Sequence, residues 1–135
     1  MYVKEVMSKH AVTLSPQQTV GEAAEIMQRL NTGFVPVGEN NRLVGTVTDR
    51  DIVVNGLAQG KATDTKVSEV MSGDVLYCFD DQEVAEVARN MGERQVRRMP
   101  VVDRDKTLVG IVSLGDLSHD GDPSAAGVAL EQISG

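Results

Sequence analysis

The stretch "VSEVMSGD" (Val67–Asp74) restates "VKEVMSKH" (Val3–His10), with Val, Glu, Val, Met and Ser at matching places. The copies lie 64 residues apart (Met7 to Met71), and the same spacing sets Gln18 on Gln82, Glu22 on Glu86, Met27 on Met91 and Pro36-Val37 on Pro100-Val101. One extra residue in the next polar turn makes the spacing 65, so that Leu43-Val44-Gly45 falls on Leu108-Val109-Gly110 and Asp51 on Asp116. A match held at one period over this length marks an internal duplication.

Each copy reads the same way. "AVTLSP" (Ala11–Pro16) is a short apolar strand broken at Pro16. Thr19 is placed to cap a helix, along which Val20, Ala23, Ala24, Met27 and Leu30 form one apolar stripe. Val84, Val87, Ala88 and Met91 repeat it, and Met27 and Met91 read as core filler. "FVPV" (Phe34–Val37), a polar turn and "RLVGTVT" (Arg42–Thr48) predict a strand pair. Val53, Val54, Leu57 and Ala58 then predict a helix ending near Gly60. The unit is β-α-β-β-α, and the fold class is α+β. One copy cannot cover its own sheet, so the two are expected to pack as a pseudo-twofold pair with twin clefts at the seam. The domain expectation is 1–62, 63–120 and a tail, 121–135, in which Ala126, Ala129, Leu130 and Ile133 suit a short helix. "QGKATDTK" (Gln59–Lys66) reads as a solvated linker.

Bulk properties exclude several functions. The 135 residues carry a net charge of −7 and 3% aromatics, which argues against binding nucleic acid. No apolar run approaches a membrane span, and the N-terminus lacks the apolar core of a signal peptide, so the expected location is cytoplasmic. Cys78 is the sole cysteine, and His10 and His119 have no companions at metal-ligand spacing, so no disulfide or metal is expected. There is no P-loop, no dinucleotide fingerprint and no catalytic set, so no enzyme and no catalytic cofactor are expected.

"GTVTDRD" (Gly45–Asp51) and "GIVSLGD" (Gly110–Asp116) each place a hydroxyl three residues before a carboxylate. Two readings fit. Thr48 with Asp51, and Ser113 with Asp116, suit a capping box at a helix start. They also suit a ligand site. Gly45 and Gly110 interrupt good strands, as at a close approach of a ligand or another backbone. A helix start attracts phosphate, and a carboxylate can take two hydrogen bonds from a ribose. Arg97 and Arg98 stand before the second strand pair, and Arg50 lies within the first motif. Arginine suits bidentate phosphate contact or surface ion pairing.

With "VMS" at each start, "FVPV" and "RMPV" before the strand pairs, and "GTVTDRD" and "GIVSLGD" after them, the chain resembles the cystathionine-beta-synthase (CBS) domain family, of the small stand-alone bacterial type. The resemblance covers nearly all of residues 1–120 and excludes the tail. It implies a pair of clefts for an adenosine compound: AMP, ADP or ATP, with NAD or S-adenosylmethionine as alternatives. By position, Asp51 and Asp116 would take the ribose, and Thr48 and Ser113 the phosphate. Arg97 and Arg98 match basic positions that the family turns toward phosphate. Thr13, Phe34, Val35 and Pro36 would flank adenine in the first cleft, and Tyr77, Met99, Pro100 and Ile111 in the second. Thr46 stands where the family prefers an apolar residue, as at Ile111.

The expected function is a regulatory module that couples an adenosine ligand to a protein partner or to the state of a homodimer. A second expectation is a ligand-free scaffold that dimerises through apolar helix faces such as Ile52, Val53 and Leu57. A third, an enzyme subunit active only with a partner, has no residue in its favour.

Overall fold

Thr19 accepts a hydrogen bond from the Glu22 amide (3.1 Å) and so caps helix α1 (Val20–Leu30) in the computed structural model, which describes residues 1–9 and 12–120. The expected tail helix lies outside the described residues, as does His10. Helix α3 (Val84–Arg94) is the second copy of α1, and both end on a left-handed residue, Asn31 and Gln95. The matched glutamines and glutamates also act alike. Gln18 accepts from the Ser15 amide and donates to Glu22, while Gln82 accepts from the Phe79 amide and donates to Glu86.

Each helix leads into an antiparallel hairpin: β2 (Phe34–Glu39) with β3 (Arg42–Thr48), and β5 (Arg98–Val102) with β6 (Leu108–Ser113). Asn40 and Asn41 close the first with positive φ at both positions, as a two-residue turn requires. The register shifts after Val37 in one hairpin and after Val101 in the other, so even the bulge is duplicated.

The compact units exchange the opening segments of the repeats. Named by their order along the chain alone, an inner unit comprises Val12–Val75, and an outer unit comprises the described residues 1–9 together with 76–120. In the outer unit, β1 (Ser8–Lys9) pairs with β6, and β4 (Cys78–Phe79) runs parallel to β5, giving the sheet order β1-β6-β5-β4. In the inner unit, Ser72 takes the place of Ser8 and exchanges two hydrogen bonds with Thr46 (2.9 and 3.1 Å). The opener of each repeat therefore lies with the strands of the other. Helix starts follow the same rule. The Val20 and Gly21 amides donate to the Thr65 and Thr63 carbonyls, and the Val84 amide donates to the Met1 carbonyl. The Gln59–Lys66 segment is mostly exposed as expected, yet its carbonyls satisfy amides that α1 cannot satisfy itself.

Each unit has its own core. Leu14, Val35, Val37, Val47 and Val67 are buried in the inner one, and Val3, Val87, Met91, Val101 and Leu117 in the outer one. Met27 and Met91 are core residues. Three sequence expectations need correction. Of the described residues 12–16 only Leu14 pairs, through a single parallel bridge to Val37 made by its bonds with Pro36 and Gly38, and Pro16 has no amide with which to extend it. Ala24 and Leu30 are exposed, since the buried stripe of α1 is narrower than the apolar one. After Thr48 the chain makes one α-turn, α2 (Asp49–Asp51), then a π-helix over Ile52–Gly56 and a 3-10 turn over Leu57–Gln59. The wider π turn buries Ile52 and Gly56 and leaves Val53, Val54 and Leu57 outside. The matching helix of the second repeat is α4 (Leu114–Asp120). No helix among the described residues is long and apolar enough to cross a membrane.

Candidate functional site

Thr48 and Asp51 form a capping box. The Asp51 amide donates to Thr48 Oγ1 (3.1 Å), and the Thr48 amide donates to Asp51 Oδ2 (2.9 Å). Ser113 and Asp116 repeat it at the same two distances, 3.1 and 2.9 Å. The helix-start reading of the motif is therefore correct. It leaves room for the other reading, because a carboxylate offers about four acceptor positions. Only Oδ2 enters either box, and Oδ1 is left over in a half-buried side chain.

The glycine signal has a different answer. An ideal Cβ on Gly45 would lie 2.9 Å from the Ser72 carbonyl oxygen, and one on Gly110 would lie 2.6 Å from that of Ser8. The close approach is made by the exchanged opening segments of the chain itself.

The hairpins bring several expected residues to each box. Phe34 stands opposite Thr48, and Arg98 opposite Ser113, while Pro36 pairs with Thr46 and Pro100 with Ile111. Arg97 is one residue away, its carbonyl accepting from the Leu114 amide (3.1 Å). Arg50, Arg97 and Arg98 are exposed, as is Thr13. Val35, Pro36, Met99 and Pro100 are buried, and Phe34 and Ile111 are half-buried. Each expected set of residues falls within one compact unit.

The outer unit also contains a hollow of about 290 Å³, just below the roughly 300–1,000 Å³ typical of ligand sites. Tyr77 and Met99, two of the residues expected in the second cleft, line it together with Leu76, Asn90, Glu93 and Arg94. These last four were not anticipated. For three of them a signal was present: positions 90, 93 and 94 share one helix face beside the buried stripe. The Tyr77 ring packs edge-on against Phe79 (5.7 Å), and Arg104 covers the other ring at 4.1 Å while forming a two-pronged ion pair with Asp81 (2.7 and 2.8 Å). This arrangement holds one wall of the hollow. The Arg104 guanidinium keeps the Asp81 carboxyl below its ordinary range.

Cys78 is not poised as a nucleophile. Burial, reinforced by the negative charge of Asp80, pushes its thiol up to about 12, and Sγ donates to the Pro100 carbonyl (3.8 Å). Among the described residues no three His, Cys, Asp or Glu side chains gather as metal ligands.

Two small α/β units with duplicated hydroxyl–carboxylate boxes define a tandem-repeat module. The CBS domain matches residues 3–56 and again 67–120, and the chain belongs to the CBS domain family as a tandem pair. A curated relative is the CBS domain-containing protein YhcV of Bacillus subtilis, 42% identical over 133 residues, covering 98% of this chain and 94% of that one. Two solved structures share the fold and hold ligands. The CBS domain pair of protein MJ0100, in complex with 5′-methylthioadenosine and S-adenosyl-L-methionine, is 32% identical with a TM-score of 0.76, over 87% of this chain and 93% of that one. CBSX2 in complex with AMP is 28% identical with a TM-score of 0.78, over 88% and 94%.

Proposed function

We propose that this CBS pair is a cytoplasmic regulatory module that binds an adenosine ligand of the AMP, ADP or ATP type, carries out no chemistry itself, and passes its occupancy to a partner protein or to a homodimer. The observation that carries the reading is the duplicated box with an unused carboxylate oxygen, in a family whose solved members hold AMP, methylthioadenosine and S-adenosylmethionine. In this reading Oδ1 of Asp51 and of Asp116 accepts from ribose hydroxyls while Oδ2 keeps the helix start in place. Thr48 and Ser113 face the phosphate end, and Phe34, Pro36, Pro100 and Ile111 flank the base. Occupancy matters to a partner only if the ligand binds two states of the module differently.

A micromolar site corresponds to about −8 kcal/mol, and a charged hydrogen bond contributes roughly 1.5–3 kcal/mol. Asp51→Asn and Asp116→Asn retain an acceptor for the helix start and lose the charge. Each is expected to weaken its own site about tenfold or more. Calorimetric titration with AMP and with 5′-methylthioadenosine tests this, and affinity for both compounds unchanged in both variants would remove the carboxylates from the site.

The dimerising scaffold has one observation in its favour. Val53 and Val54 on the π-helix and Leu57 on the 3-10 turn after it are 53%, 40% and 60% exposed, an apolar surface suited to a second copy. Leu57→Asp should convert a dimer to a monomer by light scattering. The scaffold reading prevails if that happens while no adenosine compound changes the thermal stability.

A further inference from the structure

We infer that the two units divide adenosine ligands by charge: the outer unit takes the phosphorylated form, the inner unit takes a neutral or cationic one, and Arg97 and Asp49 decide which. The inference rests on the nucleotide reading above and adds a ligand class for each unit.

The two boxes match in backbone and differ in charge. The Asp49 amide donates to the Gly33 carbonyl (3.0 Å), just as the Leu114 amide donates to that of Arg97 (3.1 Å). Gly33 and Arg97 therefore hold the same place, as do Asp49 and Leu114, and Phe34 and Arg98. In the inner unit an ideal Cβ on Gly33 would lie 2.8 Å from Asp49 Oδ2 and 3.1 Å from Oδ1. The Asp49 carboxylate thus fills the space in which the Arg97 side chain begins in the outer unit. A negative charge stands where the other copy roots a positive one.

The neighbouring residues keep this sign. Around the outer box Arg97 and Arg98 outweigh Asp116, for a net charge of +1. Around the inner box Asp49 and Asp51 outweigh Arg50, for a net charge of −1. Like charges brought together at a binding surface are a strong source of discrimination. A phosphate beside Thr48 would meet Asp49, which the Arg50 amide already holds through Oδ1 (2.9 Å). A ligand ending in a thioether or a sulfonium has no such conflict. The ribose contact is common to both units, because both boxes keep the same spare oxygen.

The test is calorimetry of the full chain with AMP, ATP, 5′-methylthioadenosine and S-adenosylmethionine, with Asp51→Asn and Asp116→Asn marking the units. AMP is expected to fill the outer unit first, weakened about tenfold by Asp116→Asn and by Arg97→Gln and unaffected by Asp51→Asn. Methylthioadenosine should respond to Asp51→Asn and be indifferent to Arg97→Gln. Asp49→Asn, which keeps shape and removes charge, should raise AMP affinity for the inner unit about tenfold and leave methylthioadenosine within about twofold. AMP affinity should also fall with added salt, while that of methylthioadenosine should not. Equal AMP affinity in both units, or no effect of Arg97→Gln and Asp49→Asn, would overturn the division and leave the nucleotide reading standing. Binding of none of the four compounds would overturn both.

Discussion

Gly110→Ala is the sharpest probe of the exchanged opening segments. The added methyl would sit 2.6 Å from the Ser8 carbonyl oxygen and 2.9 Å from Met7 Sδ. The sulfur ends a flexible chain and can swing away. The carbonyl cannot, because Ser8 is tied into the ladder opposite Ile111 and Lys9 opposite Gly110. Relief requires that β1 lift from the sheet. Forcing atoms into a packed site costs typically 1–3 kcal/mol, and a backbone clash belongs at the upper end, so a loss of about 2–3 kcal/mol is expected. With a urea m-value of roughly 1–3 kcal/mol/M, the midpoint should fall by about 1–2 M at unchanged slope. Gly73→Ala is the control. No atom lies within 4 Å of its ideal Cβ, so its stability should stay within about 0.5 kcal/mol of the parent. Equilibrium urea unfolding followed by circular dichroism measures both. A Gly110→Ala protein as stable as Gly73→Ala would show that Ser8 does not occupy that space, and the exchange would be wrong.

Other substitutions separate local from tertiary effects. Leu14→Ala and Leu117→Ala remove fully buried side chains and should each cost about 2–5 kcal/mol in chemical unfolding. Thr48→Ala removes a cap hydroxyl, which should cost about 1 kcal/mol and show as faster amide exchange at Asp51. Cys78 should resist thiol reagents at pH 8 until the protein is unfolded. Its proton is held more tightly in the folded state, so the unfolded chain ionises first. Stability should be intact below pH 9 and fall as the pH rises from 9 toward 12, by about 1.4 kcal/mol per pH unit; a Cys78→Ala protein should lack that slope. The Asp81 carboxyl should titrate below the ordinary range by NMR and return to it in Arg104→Gln.

Much of the candidate site was legible because its chemistry is local. A hydroxyl and a carboxylate three residues apart at a helix start touch through one turn of backbone, so Thr48 with Asp51 and Ser113 with Asp116 could be paired from spacing alone. The Gln–Glu pairs lie one helical turn apart for the same reason. Asp49 was overlooked as a determinant because its meaning depends on Gly33, sixteen residues earlier, whose missing side chain makes room for the carboxylate. Asn90, Glu93 and Arg94 were overlooked because polar residues on a helix ordinarily face water, and only the position of Tyr77 and Met99 makes a hollow beside them.

By itself the sequence determined the duplication, the helix and hairpin of each repeat, the capping residues and the family, since each follows from short-range periodicity and from residue types at fixed spacing. The tertiary structure alone decided that each opening segment joins the strands of the other repeat, and so what the glycines at 45 and 110 are for. A glycine in a strand says that something comes close. Which backbone arrives is settled by partners about 27 and 102 residues away, Ser72 and Ser8, a distance over which spacing carries no information and only the competition to bury apolar surface does.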